Sequence, residues 1–309
     1  MNSGVHRLIV HPGFLKTATT TLQKHLFSSH PALFSVGLPH RSPVQARLAE
    51  ELRRIEGVDY DEEQLRVLIQ QAVAEQIPGS VAILSDEALT GNAYLLEPIA
   101  CRLRDFFPGA HVLFTIRHQF DSIRSFYARH GRVLTNVPAP YADRHITFAD
   151  WLTHAYQNLP TSYLGLVDYR RTIKIYEQIF GRERIHILLF EDLKHDRKTF
   201  VDQLAEVLSV DPSTIHPLLN GRQTHSQQSM RFVFCDRFMK RFAPESWLRP
   251  GGSLTAHLPG WLKAFLGGGR PNRVDIPRVW IPRLEEIYRT GNRTLAERYD
   301  LRLQEYGYP

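Results

Sequence analysis

The sequence predicts an α/β fold of three layers, with a central parallel sheet flanked by helices and a helical, irregular C-terminal region. Two observations predict it. Short apolar runs of strand length alternate with stretches of helical period, and a β-α order of this kind implies parallel strands joined by helical crossovers. The chain has 309 residues, 43% of them hydrophobic, which suffices for a sizeable core, and single α/β domains often reach this length.

The elements follow in order. Leu8-Ile9-Val10 is a buried strand broken at Pro12-Gly13, and Thr19 to Ser28 reads as a helix with Leu22 and Leu26 on one face. Polar amphipathic helices are expected at 44–56 and 61–77, on either side of Gly57. Val81-Ala82-Ile83-Leu84 is the second strand, closed by Ser85-Asp86-Glu87, and a helix at 94–106 ends at Pro108-Gly109. The third strand, Val112 to Ile116, runs directly into a helix at 120–130. Past a polar, proline-containing loop at 133–144, helices are expected at 148–157 and 164–180. Ile185 to Phe190 is the fourth strand, followed by a helix at 197–208. From Arg231 the pattern is irregular; 243–273 is rich in Gly and Pro, and 279–298 reads as a C-terminal helix.

Composition narrows the function classes. Charged residues make up 23% and aromatics 11%, which excludes a disordered chain. Thirty-eight Lys and Arg against 32 Asp and Glu leave a net charge of +6. That balance leans toward anionic partners: nucleotides, nucleic acid, acidic glycans or a membrane surface. Cys101 and Cys235 make no disulfide framework and show no metal spacing. They read as free thiols of a reducing compartment, so a cytoplasmic location is expected. The apolar run within Met1–His11 is too short for a signal peptide, and none approaches the ~18–20 apolar residues of a membrane span.

The first strand leads into His11-Pro12-Gly13-Phe14-Leu15-Lys16-Thr17-Ala18-Thr19-Thr20-Thr21. A helix N-terminus offers unpaired N–H groups and the positive end of the macrodipole, where an anion is stabilised. Lys16 adds a mobile charge, and Thr17, Thr19, Thr20 and Thr21 add short hydroxyl donors. The chemistry favoured is phosphate or sulfate binding. A Walker A loop needs a glycine directly before the lysine; here Leu15 stands there, and Lys16 follows Gly13 by three positions. The loop is P-loop-like but too short to wrap a β-phosphate in the Walker manner.

The third strand ends in Arg117-His118-Gln119-Phe120-Asp121-Ser122-Ile123-Arg124-Ser125-Phe126-Tyr127. An arginine at a strand's carboxyl end projects into the ligand crevice of such a sheet. Ser125, eight residues on, is about two helical turns away. A guanidinium with a hydroxyl suits a phosphate monoester. The second strand ends in Asp86-Glu87, which fits two chemistries: a magnesium ligand with a base, as in an ATPase, or a cap on the next helix beside a catalytic carboxylate.

The loop from Gly13 to Thr21 resembles the 5′-phosphosulfate loop of the sulfotransferases that use 3′-phosphoadenosine 5′-phosphosulfate (PAPS), departing from it at Ala18, where glycine is common. Arg117, Asp121, Ser125 and Tyr127 keep the register of that family's 3′-phosphate motif, with Gln119 in place of its proline. Tyr176 to Leu193 and the ending Tyr299 to Pro309 also resemble the family, with bacterial, carbohydrate-type and cytosolic members the nearest in pattern. Within the Tyr176 to Leu193 stretch, Gly181 reads as closing a helix and Glu191 or Asp192 as capping the helix that follows the strand.

The resemblance implies a single domain over 1–309, with a core at 5–230 and acceptor-side, lid and C-terminal helical elements at 231–309. It implies PAPS as the sulfuryl donor and PAP (3′,5′-ADP) as product, with no metal and no nucleic acid partner. The acceptor is a small molecule or glycan bearing a hydroxyl. Lys16 would stabilise the leaving oxygen and Glu87 would act as base, with His118 the second candidate and His11 and His130 behind it. Gly13, Lys16, Thr17, Ala18, Thr19, Thr20, Thr21, Arg117, Ser125 and Arg222 would hold the nucleotide. Two other readings stand beside it: a P-loop kinase or ATPase using Mg-ATP, and a non-catalytic nucleotide-binding scaffold. Trp261-Leu262-Lys263-Ala264-Phe265-Leu266 is a candidate for peripheral membrane contact, for an acceptor lid, or for a loop packed on the core.

Overall fold

The computed structural model describes residues 7–38, 42–74, 76–128, 146–220, 259–267 and 274–309. Five parallel strands form its sheet: β1 (Leu8–His11), β2 (Leu33–Gly37), β3 (Val81–Ser85), β4 (His111–Ile116) and β5 (Ile185–Leu189), in the order β2-β3-β1-β4-β5. β1 pairs with β3 from Leu8–Ala82 to His11–Ser85, and with β4 at Ile9–His111 and Val10–Val112. The four strands read from the sequence are present, and β2 adds a fifth at the edge. The last strand stops at Leu189, one residue short of the sequence reading, and Phe190 opens a helix.

Successive side chains of a strand point to opposite faces, and here they enter two separate cores. Leu8, Val10, Ala82, Leu84, Val112, Phe114 and Ile116 join one core, while Ile9, Val81, Ile83 and Leu113 join the other. Both faces are therefore covered, as an all-parallel sheet requires. The first core is closed by α2 (Pro43–Glu51), α3 (Glu62–Val73) and α4 (Leu96–Phe106). It also takes residues from α5 (Gln119–Phe126), α6 (Phe148–Gln157), α7 (Tyr163–Leu166) and α8 (Tyr169–Phe180). The second is closed by α1 (Thr19–Thr21, continuing as a π-helix over Leu22–Phe27), α9 (Phe190–His195), α10 (Arg197–Leu208) and α11 (Pro212–Leu219). The arrangement is the three-layer α/β architecture expected.

A short helix, α12 (Gly260–Gly267), precedes the long C-terminal α13 (Ile281–Tyr299). Leu284, Tyr288 and Leu295 of α13, with Leu303 and Tyr308 beyond it, belong to the first core. The helix lies close over α8, because a Cβ on Gly291 would stand 3.0 Å from Asp168 Oδ1. No helix of the described residues is long and apolar enough to cross a membrane.

The sheet's connectivity places the ligand crevice. β1 leaves toward β2 and β4 leaves toward β5, so the chain departs in opposite directions from two adjacent strand ends. That is the switch point at which open α/β sheets bind ligands. The single helix expected at 164–180 is split at Val167-Asp168. Residues six apart on an unbroken helix face different ways. The split lets the hydroxyls of both Tyr163 and Tyr169 reach this switch point, where they donate to the Leu15 carbonyl at 3.0 Å and the Arg117 carbonyl at 2.7 Å.

Candidate active site

The loop after β1 is fixed by its carbonyls. Thr90 Oγ1 donates to Gly13 O at 2.7 Å, Thr17 Oγ1 to Phe14 O at 2.6 Å, Tyr163 to Leu15 O, and Arg117 Nη1 to Lys16 O at 3.1 Å. Four successive carbonyls are thus turned to protein partners. A peptide N–H points opposite to its carbonyl, and a run of such N–H groups leading into a helix start is a geometry suited to an anion. The backbone matches: Gly13, Lys16 and Ala18 all have left-handed φ, of 62°, 73° and 69°. Position 13 demands glycine twice over, since a Cβ there would also lie 3.0 Å from Thr19 Cγ2 and 3.5 Å from Glu87 Cγ.

Thr17 and Thr19, expected among the anion contacts, direct their hydroxyls to the Phe14 carbonyl (2.6 and 3.2 Å) and are buried. Their side chains hold the loop's shape, and their N–H groups remain the parts suited to an anion. Thr20 and Thr21 are half-buried in the first turn of α1.

The tip of β4 is built from the other side of the crevice. Besides its bond to Lys16 O, Arg117 lays its guanidinium over the Phe190 ring, 4.6 Å from the centroid, and its Nε is buried without an acceptor among the described residues. His118, the second candidate base, is placed otherwise. Its backbone N–H donates to Glu191 Oε1 at 2.9 Å, and its Nε2 meets the Gly307 carbonyl at 2.9 Å. A carbonyl only accepts, so Nε2 carries the proton. Nδ1 is a buried atom without a hydrogen-bond partner among the described residues. A base must reach its substrate's proton, and this nitrogen faces protein. His118 serves instead to dock the C-terminal segment.

Glu191 and Asp192 are the main correction to the sequence reading, which gave one of them to capping α9. The N-cap position of α9 makes no side-chain cap. Glu191, in the first turn of α9, instead accepts from the His118 N–H at the start of α5, and its Oε2 accepts from Tyr308 OH at 2.9 Å. Asp192 takes the Tyr306 hydroxyl and Arg302 Nη2 (3.0 Å). Gln119, where the family pattern has proline, makes a reciprocal amide pair with Asn292 of α13 (2.7 and 3.2 Å), and Asn292 also donates to Pro309 O at 3.0 Å. The Arg117–Gln119 turn is thereby clamped to the last residues of the structure.

On α5, Asp121 pairs with Arg124. Burial alone would raise the Asp121 carboxyl, but the Arg124 hydrogen bond and the charges of Arg124 and Arg117 hold it below the usual carboxylate range. Ser125 is half-buried two turns from Arg117, and Tyr127 is a core residue donating to Ile146 O at 2.7 Å.

At the end of β3 the two acidic residues divide. Asp86 Oδ1 accepts from Ala88 N at 2.9 Å and caps the short 3₁₀ turn Glu87–Leu89. Glu87 is half-buried with its Cγ beside Gly13. Below them His11 hydrogen-bonds Ser85 Oγ at 2.7 Å, and Gln23 donates to the same hydroxyl at 3.1 Å. Burial lowers the His11 pKa to about 3; sealed off from solvent, it is part of the loop's foundation, not a base. Arg222 and His130 lie outside the described residues. Trp261 and Phe265 are 72% and 55% exposed on α12.

Sequence reasoning missed Thr90, Tyr163 and Tyr169, and it read Glu191 only as a possible cap on α9. Each acts through a contact distant in sequence, and only the Glu191-Asp192 pair carried a pattern that pointed to it.

No family model and no curated protein matches this chain. Solved structures do resemble it in fold. A mouse sulfotransferase, SULT7A1 complexed with PAP, gives a TM-score of 0.49 at 11% identity, covering 97% of this chain and 87% of that one. A sulfotransferase from Alicyclobacillus acidocaldarius gives 0.45 at 19% identity, covering 79% and 98%. Retinol dehydratase in complex with androsterone and inactive cofactor PAP gives 0.40 at 14%, covering 92% and 80%. None of these three reaches a TM-score of 0.5.

Proposed function

We propose that this chain is a cytoplasmic sulfotransferase that moves a sulfuryl group from PAPS to the hydroxyl of a sugar or other alcohol. One observation carries the reading: Arg117 Nη1 reaches the Lys16 carbonyl at 3.1 Å. The tip of β4 is thereby fastened to the loop after β1, and two anion-binding elements open on one crevice at the sheet's switch point. A nucleotide with a phosphosulfate at 5′ and a phosphate at 3′ has two anionic ends to offer them.

In this reading the N–H groups of the loop and the hydroxyls of Thr20 and Thr21 bind the phosphosulfate oxygens. The acceptor oxygen attacks sulfur in line, the sulfur–oxygen bond to the 5′-phosphate breaks, and the electron pair leaves with 3′,5′-ADP. Lys16 neutralises that leaving oxygen. Glu87, whose Cγ lies beside Gly13, takes the acceptor's proton as attack proceeds.

The rival is a kinase or ATPase, suggested by a buried strand ending in Asp86-Glu87. It would need Asp86 for magnesium, whereas one oxygen of Asp86 caps the Ala88 N–H. A thermal-shift comparison separates the two. The expected result is stabilisation by 3′,5′-ADP without metal and a smaller effect of ATP with Mg²⁺. Stabilisation by Mg-ATP alone overturns the proposal, and no response to either nucleotide leaves a scaffold.

A further inference from the structure

Arg117 is not the only cation at the Phe190 ring. Lys194, one turn further along α9, places its ammonium 4.8 Å from the same centroid that the Arg117 guanidinium approaches to 4.6 Å. An aromatic face attracts one cation, but two brought to one ring repel each other at short range. The carboxylates nearby are committed elsewhere. Asp121 is paired with Arg124, and Glu191 takes the His118 N–H and the Tyr308 hydroxyl. Arg117 has one nitrogen tied to Lys16 O and a buried Nε with no acceptor among the described residues. Lys194 sits in the last turn of α9, where a cation suits the helix dipole, yet that accounts neither for the empty Nε nor for the shared ring. Burial lowers the Lys194 pKa, and the Arg117 charge lowers it further.

We infer that Lys194 and Arg117 together form the receptor for the nucleotide's terminal phosphate monoester, the two cations meeting the two charges that such a phosphate carries. The inference rests on the sulfotransferase reading above and extends it to a residue that no motif marks. A phosphate monoester holds close to two negative charges at neutral pH, and the guanidinium alone supplies one. Discharging both cations against a single ligand removes their mutual repulsion, so the site selects for a nucleotide with a 3′-phosphate.

The test is calorimetric titration of the full chain with 3′,5′-ADP and with 5′-AMP, in the wild type, Lys194→Met and Lys194→Arg. Lys194 is a surface residue of which only the ammonium end is partly enclosed at the Phe190 ring, so its replacement is expected to keep the fold, which the melting temperature checks. Lys194→Met is expected to weaken 3′,5′-ADP by about tenfold and to leave 5′-AMP within about twofold, with Lys194→Arg near wild type. An unchanged preference for 3′,5′-ADP in Lys194→Met overturns the inference and leaves the proposed function standing. A wild type that does not prefer 3′,5′-ADP over 5′-AMP removes the proposed function, and this receptor with it.

Discussion

Lys16 and Ala18 both hold left-handed backbone, two positions apart, in a loop where the four carbonyls from Gly13 to Lys16 are fastened. Left-handed φ costs a non-glycine residue about 1–2 kcal/mol, and strain of this kind gathers where a ligand must be met in a fixed geometry. Ala18→Gly is expected to raise stability by about 0.5–1 kcal/mol, the relief being partly offset by a freer unfolded chain; urea denaturation measures it, and a loss of stability would show that the Ala18 methyl is packed. Lys16→Ala is expected to lower turnover by about 10²–10³ with the fold kept, the usual effect of removing one group that stabilises developing charge. Near-normal turnover would remove Lys16 from the leaving oxygen. Glu87→Gln should slow transfer while 3′,5′-ADP still binds, because the proton that the base takes belongs to the acceptor and not to the nucleotide. A variant that loses both would make Glu87 part of the loop's support.

At the scale of elements, the segment Leu301–Pro309 braces the turn between β4 and α5 through Glu191, His118, Gln119 and Asn292. Tyr308→Phe removes one hydrogen bond from the buried Glu191 carboxylate. It is expected to cost about 1–3 kcal/mol of stability and to weaken 3′,5′-ADP by several-fold; wild-type affinity in a destabilised Tyr308→Phe would uncouple tail from turn. Much of this layout is legible in the sequence. β1, β3, β4 and β5 announce themselves as apolar runs, and the Gly13 loop and Arg117 tip follow from what stands at their ends. β2 is less visible, because Leu33-Phe34-Ser35-Val36-Gly37 is a short edge strand that carries a polar residue and a glycine. The division of labour between Asp86 and Glu87 is expected from the sequence and Asp86 does cap, but the placement of Glu87 beside Gly13 is a tertiary contact that no spacing encodes. The clamp on the turn was beyond reach for a simpler reason: hydrogen bonds between residues 73 to 189 positions apart leave no periodic trace.

Across the whole molecule, neutral histidines are built into both ends of the sheet. Burial holds His11 at about 3 and His186 at about 4, and also lowers His30 and His111, all from an ordinary 6.5. His111 Nδ1 and His186 Nε2 stand 2.9 Å apart across β4 and β5, so one ring donates and the other must stay unprotonated. A histidine whose pKa is lower folded than unfolded contributes its full stability above the unfolded value and loses it as pH falls toward the folded one. The urea midpoint is therefore expected to be level above about pH 7 and to fall between about pH 6.5 and pH 4. His11→Gln should flatten that slope. A midpoint that does not move from pH 7 to pH 4.5 would mean these rings are protonated in place.

The clamp also sets an order of events during synthesis. The carbonyl that fixes His118 belongs to a residue 189 positions later in the chain. While the ribosome is still making that stretch, β1 to β5 can pair and the second core, whose residues end at Leu219, can fill, yet the turn after Arg117 lacks its clamp and the first core lacks its last layer. A nascent chain gains its sheet first and the brace on this turn last.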